Sequence, residues 1–177
     1  MILSVLDDHD PDYLVCALDS EEPTFRHEFY EEYKAERPQM PDDLRSQIPI
    51  IRELLEILDI PVAIEPGYEC DDLIASMVET WKKQPELQFT IVSNDKDNFQ
   101  LVEDQVRTLK IKQGFSDIEF LHAGDIEEEL GVPPGQVPDY LALVGDKVDN
   151  VPGVEGVGPT YASRALNEFN TIEEMLE

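Results

Sequence analysis

The sequence predicts an α/β fold in which a parallel sheet flanked by helices is followed by an all-helical region. Three observations carry that expectation. Tyr13 to Leu18 and Leu87 to Val92 are nearly continuous apolar runs, the mark of strands covered on both faces. Stretches between them repeat their apolar residues at the helical period. After His122 the strand-like runs stop and helical patterns remain, which divides the chain into residues 1–120 and 121–177.

Taken in order, Met1 to about Leu6 reads as the tail of a helix broken by Asp7-Asp8-His9-Asp10-Pro11. Tyr13 to Leu18 is the first strand. Thr24 to Glu36 is helical in pattern, and Arg37-Pro38-Gln39-Met40-Pro41 ends it, because residues before proline avoid the helical region. Pro41 starts a long helix with Asp42 and Asp43 in its first turn and Leu44, Ile48, Ile51, Leu54, Leu55 and Leu58 along it; Pro49 should kink or split it. Pro61 to Ile64 is a short strand. Asp71 to Lys83 is a helix with Leu73, Ile74, Met77, Val78 and Trp81 inward. Leu87 to Val92, Val106 to Ile111 and Ile118 to Leu121 are strands. Asp125 to Leu130, Pro134 to Val144 and Pro159 to Phe169 are helices, and Thr171 begins one more.

The chain has 40 Asp and Glu against 13 Lys and Arg, a formal charge of -27. The excess is spread along the sequence, so it reads as a generally acidic, solvated surface of the kind adapted to high salt rather than a patch for a basic partner. Cys16 and Cys70 form no zinc or redox pattern, and Cys16 reads as a small buried hydrophobe. No apolar run is long enough to span a membrane, and Met1 to Leu6 is too short and lacks a basic flank for a signal peptide. The expectation is a soluble, cytoplasmic monomer.

The acidic residues that carry chemistry stand just past strands or beside glycine turns: Asp19, Glu69, Asp71, Asp72, Asp95, Asp97, Asp146 and Asp149. In an open α/β sheet, sites form outside the carboxyl ends of strands. Carboxylates gathered there need cations to stay ionised together, and Mg2+ or Mn2+ take oxygen ligands. Each group has an ordinary reading by itself. Glu69, Asp71 and Asp72 complement a helix dipole, Asp95 and Asp97 decorate a turn, and Asp146 and Asp149 share a helix-end face. Together they point to two divalent ions able to activate water and stabilise the leaving oxygen of a phosphodiester. None of His9, His27 or His122 is placed as a convincing catalyst. The second signal is Val151-Pro152-Gly153-Val154-Glu155-Gly156-Val157-Gly158-Pro159, a glycine-punctuated hairpin before a helix, which suits backbone gripping of DNA without sequence reading.

Several segments, in order, resemble the 5′-to-3′ exonuclease domain of bacterial DNA polymerase I and its stand-alone relatives in the flap endonuclease family. They are Thr24-Phe25-Arg26, Tyr33-Lys34-Ala35-Glu36-Arg37-Pro38, Met40-Pro41-Asp42-Asp43-Leu44, Gly67-Tyr68-Glu69-Cys70-Asp71-Asp72, Asp95-Lys96-Asp97, and Asp139 to Gly158. The resemblance implies a PIN-like nuclease domain and a helix-three-turn-helix DNA-binding region. It implies two-metal cleavage of DNA with a 5′ flap, nick or free 5′ end, in the same pathway as a DNA polymerase. It also implies metal roles for the eight carboxylates and catalytic roles for Lys34, Arg37 and Asp95. Arg26, Tyr33, Lys34 and Arg37 would handle the 5′ end and scissile phosphate. Gly153, Gly156, Val157 and Gly158 would hold duplex backbone with a monovalent cation such as K+.

The sequence departs from the family pattern at Asn94 (usually Gly), Cys70 (usually Ala) and Thr160 (usually Lys). The family's first strand, ending in Asp-Gly, has no counterpart, and the helical region stops early. The expectation is therefore a fragment that cleaves poorly by itself. The competing expectations are an inactive DNA-binding or regulatory module, and an Mg2+-dependent phosphotransfer domain, in which the hairpin would have no job.

Overall fold

The computed structural model describes residues 2–111 and 118–177. Met1, the first residue of the expected N-terminal helix, lies outside them. Helix α1 (Ile2–His9) runs past the expected break and stops only at Asp10, whose φ of 40° precedes Pro11. The proline, not the acidic pair, ends the helix. The His9 ring packs edge-on against Phe120, centroids 5.3 Å apart.

Strand β1 (Cys16–Ala17) is much shorter than the apolar run suggested. It pairs in parallel with β2 (Val62–Ala63), Cys16 opposite Val62 and Ala17 opposite Ala63. Tyr13 is 82% exposed, so the run is not a strand covered on both faces. Between these strands lie α2 (Phe25–Phe29), α3 (Asp42–Arg45) and α4 (Ile48–Ile57). The expected helix to Glu36 ends early: Tyr30 is extended and residues 31–36 form turns, with Lys34 at φ 56°. The Pro41 helix is split as expected. Pro49 falls in the first turn of α4, where its missing N–H costs nothing. Of the apolar positions assigned to this helix, Leu55 is buried, whereas Leu44 and Leu54 are exposed.

Gly67, at φ 84°, turns the chain into α5 (Cys70–Trp81). Glu69 caps that helix, and its N–H donates in return to Asp72 Oδ2 at 3.0 Å, which satisfies donors at the helix start. Ile74 and Val78 pack on Ile91 and Val106, but Trp81, expected inward, is 51% exposed. Strands β3 (Phe89–Val92) and β4 (Val106–Ile111) pair in parallel, and β5 (Ile118–Leu121) joins β4 antiparallel. The sheet is thus mixed rather than wholly parallel, and the β1–β2 ladder is separate from β3–β4–β5. Helix α5 contacts both pieces, through β1 on one side and the β3–β4 core on the other.

A 3₁₀-helix (Lys96–Leu101) follows β3 and buries Phe99 and Asn98. Phe99 and Val102 pack with Leu121, Ile126 and Val137, so one core runs from the sheet into α6 (Ala123–Leu130) and α7 (Val137–Val144). A second core of Val132, Tyr140, Leu143, Ala162 and Leu166 joins α7 to α8 (Pro159–Phe169), with Ile172 and Met175 of α9 (Ile172–Leu176) on its edge. Within this helical region the expected glycine-punctuated hairpin contains a little strand. Strands β6 (Gly145–Asp146) and β7 (Val151–Pro152) form a short antiparallel ladder. A Cβ at either Gly145 or Gly153 would overlap backbone of the other arm, so only glycine lets the two arms approach this closely.

Candidate metal and nucleic-acid site

The C-terminal ends of the parallel strands β1, β2 and β3 all open toward the acidic segments. Asp19 follows β1 and accepts the Cys70 N–H at 2.8 Å, which ties it to the start of α5. The first turn of α5 carries Glu69, Asp71 and Asp72. Asp95 caps the 3₁₀-helix after β3, its Oδ1 accepting the Asp97 N–H at 3.0 Å. Buried Asn98 donates to Asp71 Oδ1 at 2.8 Å and so links that turn to α5. Asp146 and Asp149 belong to the β6–β7 turn rather than to a helix end. Gly145 ends α7 at φ 79°, and Asp146 Oδ1 then accepts the N–H groups of Val148 and Asp149, folding the turn on itself.

The segment between α2 and α3 lays its polar side chains across these carboxylates. The buried Tyr33 hydroxyl sits between Glu69 Oε2 at 2.9 Å and Asp149 Oδ2 at 3.2 Å. Lys34 Nζ lies 2.7 Å from Glu69 Oε1 and 3.8 Å from Asp149 Oδ2. Its left-handed backbone turns its own N–H onto the Asp149 carbonyl at 2.8 Å. Arg37 pairs with Asp149 Oδ1. Arg26 meets Asp72 with two hydrogen bonds, 2.7 and 2.8 Å long. Lys96 reaches Asp146 at 3.0 Å. The structure therefore brings Glu69 and Asp149 together although they are far apart in sequence, and it does so through Tyr33, Lys34 and Arg37.

Electrostatics separates the carboxylates. The Arg26 hydrogen bonds hold Asp72 below the usual carboxylate range. Burial pushes Asp146 up, but Lys96 and the Val148 N–H outweigh it and leave the group low. Asp97 goes the other way, to about 6, through burial first and then repulsion from Asp95, Asp146, Asp71 and Asp149. Asp71 is raised by burial and by Asp95, Asp19 and Glu69, against the pull of Asn98. The Tyr33 hydroxyl is raised by burial and by its bond to Glu69, so it stays a donor. Burial and the acidic neighbours push the Cys70 thiol to about 12, which makes it a poor thiolate ligand.

Among the described residues, no three acidic, His or Cys side chains stand close enough as placed to enclose one ion. The chemistry of the donor set nevertheless suits a hard divalent cation. It is all oxygen, and Asp71 and Asp97 carry the mutual repulsion that a cation would relieve. Glu69, Asp149, Asp72 and Asp146 are held by lysine or arginine instead.

The hairpin starts where this turn ends, since Asp146 pairs with Val151 in the β6–β7 ladder. Gly156, at φ 81°, and Gly158, the N-cap of α8, have open space where a Cβ would be. Gly153 is instead tightly packed, and the Val157 N–H donates to the Val154 carbonyl while its side chain leans on the helical core. Sequence reasoning missed Asn98 and Lys96, although both lie within or beside the Asp95-Lys96-Asp97 segment. A polar pair there, one residue buried and one charged, was the available signal.

Residues 1–131 match the family described as "5'-3' exonuclease, N-terminal resolvase-like domain", and residues 132–177 match its "C-terminal SAM fold". The chain belongs to the 5′-3′ exonuclease family. It is 41% identical over 177 residues to a 5′-3′ exonuclease of Aquifex aeolicus, covering all of this chain and 60% of that one. It is 40% identical over 179 residues to DNA polymerase I of Caldicellulosiruptor bescii, covering 21% of that protein. The chain thus spans 60% of the length of the first relative and 21% of the second. Its fold matches T5 5′-exonuclease with bound zinc at a TM-score of 0.80 and 24% identity, over 99% of this chain and 67% of that one. It also matches the catalytic core of Rad2 with a DNA substrate at a TM-score of 0.57 and 20% identity, over 92% of this chain and 49% of that one. No described helix is long and apolar enough to cross a membrane.

Proposed function

We propose that the chain carries the site of a divalent-metal-dependent 5′ nuclease that hydrolyses DNA phosphodiesters at a 5′ flap, nick or free 5′ end. The observation that carries this reading is the convergence of Glu69 and Asp149, from segments far apart in the chain, on Tyr33, Lys34 and Arg37 of a third, with Asp97 nearby under repulsion from Asp95, Asp146, Asp71 and Asp149. Family membership and the shared fold support it.

In this reading Asp19, Glu69, Asp71, Asp72, Asp95, Asp97, Asp146 and Asp149 hold two ions, Mg2+ or Mn2+. Bound ions supply Lewis acidity and a lowered water pKa at neutral pH. The chain's own residues do the rest. Lys34 and Arg37 are poised to move from carboxylate to phosphate oxygens and to offset the charge that builds on the scissile group. Tyr33 keeps its proton and orients Glu69 and Asp149. Arg26 anchors the first turn of α5 and reaches for the 5′ strand. The backbone of Gly153, Gly156, Val157 and Gly158, with K+ or another monovalent cation, holds duplex phosphates away from the cut. Residues 1–120 form the nuclease part and 121–177 the DNA-gripping part of a cytoplasmic monomer that acts in the same pathway as a DNA polymerase.

The test is a labelled 5′-flap duplex incubated with the protein, with and without Mg2+. The expected result is tighter binding to the flap than to a blunt duplex, and divalent-dependent cleavage near the junction. Equal affinity for flap and blunt DNA together with no divalent-dependent cleavage would overturn the reading.

A further inference from the structure

We propose that Asn98 is a positioning residue for the metal site, holding Asp71 against the turn that carries Asp95 and Asp97 with a neutral donor. The proposal rests on the divalent-metal reading above and names the residue that sets the geometry of the carboxylates no described lysine or arginine holds.

The turn after β3 contains two asparagines whose hydrogen bonds differ. Asn94 uses both ends of its amide on one backbone residue. Its Oδ1 accepts the Ile111 N–H at 2.8 Å, and its Nδ2 donates to the Ile111 carbonyl at 3.1 Å. It prolongs the β3–β4 pairing and serves structure alone. Asn98 is 1% exposed, and its Nδ2 donates to two side chains, Asp71 Oδ1 at 2.8 Å and Ser93 Oγ at 3.3 Å. Its Oδ1 is buried and has no hydrogen-bond partner. An acceptor left unpaired in the interior costs stability. Turning the amide over would set its oxygen against an oxygen of Asp71, so the donor has to face the carboxylate. An amide kept for stability would pair both ends, as Asn94 does. Asn98 leaves its carbonyl idle and directs its donor into the site.

The bonds continue from there. Ser93 Oγ also accepts the Asp95 N–H at 3.0 Å, and Asp95 Oδ1 accepts the Asp97 N–H at 3.0 Å. Among the described residues, the Asn98–Asp71 bond is the only hydrogen bond between α5 and the 3₁₀-helix. Asp71, Asp95 and Asp97 repel one another, so without that bond Asp71 is free to swing away from the other two. A lysine at this position would hold Asp71 by cancelling its charge and would compete with an ion. The amide fixes Oδ1 and leaves the charge in place, while Asp71 Oδ2 accepts no hydrogen bond from a described residue. Residues behind a metal's own ligands act in this way, by orienting a ligand they do not replace.

The experiment measures Mn2+ binding through the paramagnetic resonance of the free ion, at moderate salt and without DNA, beside urea unfolding in metal-free buffer. The variants are Asn98→Leu, Asn98→Ala and Asn94→Ala. Both Asn98 variants should bind Mn2+ roughly tenfold more weakly than wild type. Asn98→Leu removes the idle carbonyl and should unfold at a urea midpoint no lower than wild type. The smaller alanine carries the metal comparison in case leucine overfills the site. Asn94→Ala should do the reverse, lowering the midpoint and leaving Mn2+ affinity nearly unchanged. Wild-type Mn2+ affinity in the Asn98 variants overturns the positioning role and leaves the metal reading standing. An equal loss of affinity in Asn94→Ala also overturns it, because any slackening of the turn would then suffice. Failure of both Asn98 variants to fold overturns it too, because Asn98 is then a structural residue. If wild type itself shows no saturable Mn2+ binding, the reading beneath fails as well.

Discussion

The carboxylate site has two halves that solve the same problem differently. Facing α2, the segment after it and the Lys96 side chain, Glu69, Asp72, Asp146 and Asp149 are neutralised by lysine or arginine, and Asp72 and Asp146 titrate low. On the strand side, no described lysine or arginine pairs with Asp19, Asp71, Asp95 or Asp97, and Asp97 is pushed to about 6. The first half is electrostatically complete without a ligand. The second lacks cations and gains most from acquiring them. In the proposed function, divalent ions and phosphate would contest the places that the chain's own cations occupy, so that opening one half and filling the other would be coupled.

The largest effect that tests this division is on chemistry. Asp95→Asn keeps the oxygen that caps the 3₁₀-helix and removes only the charge. Loss of a ligand from the un-neutralised half should lower cleavage roughly a hundredfold or more, with flap binding retained. A gel-based cleavage assay beside a binding assay checks it; equal losses in both would mean the residue serves folding or DNA capture.

A smaller effect tests the neutralised half. Tyr33→Phe removes the donor shared by Glu69 and Asp149 and leaves two buried oxygens short of a partner. The expected destabilisation is about 1–2 kcal/mol, read as a lower urea midpoint in metal-free buffer. Unchanged stability would show that Lys34 and Arg37 suffice.

Smaller still is a stabilising change. The Asp97 pKa in the folded chain is about 6, above the roughly 3.9 of an unfolded aspartate. A raised pKa means this group's contribution is fully present below about pH 4 and is lost as pH rises through about 6. Asp97→Asn does not titrate, so without divalent ions it should be more stable than wild type by on the order of 1 kcal/mol at pH 7.5 after solvent screening. The gap should close toward pH 4. Thermal melts across that range check it, and a constant gap would contradict the repulsion.

Much of this architecture is legible in the sequence because it rests on short-range rules. Pro49 splits its helix because proline is tolerated only in a first turn, and α8 begins at Pro159 for the same reason. Strands β4 and β5 match their apolar runs because tertiary packing agrees with local preference there. The run from Tyr13 to Leu18 misleads, because apolar character alone does not supply a second ladder partner, and among the described residues β1 pairs only with β2. The helix assigned through Glu36 fails because Lys34 takes a left-handed turn to reach Asp149, a contact no local window contains. Asp149 meets Glu69 through Tyr33 and Lys34, yet a β-turn closed by two glycines, not a helix end, places it and Asp146. Asn98 escaped notice because its value lies in a partner far along the chain, Asp71.

The central claim is that Asp19, Asp71, Asp95 and Asp97 are the carboxylates open to divalent ions from the outset, while lysine and arginine hold Glu69, Asp72, Asp146 and Asp149 until ions and phosphate displace them. Titration with Mn2+, read by the paramagnetic resonance of the free ion at moderate salt to suppress surface binding, tests it most directly. Arg37→Gln frees Asp149 from its partially exposed cation and should tighten Mn2+ binding several-fold, whereas Asp97→Asn should weaken it by at least as much. Indistinguishable curves for wild type and both variants would mean that the ions bind only the general acidic surface, and would contradict the account.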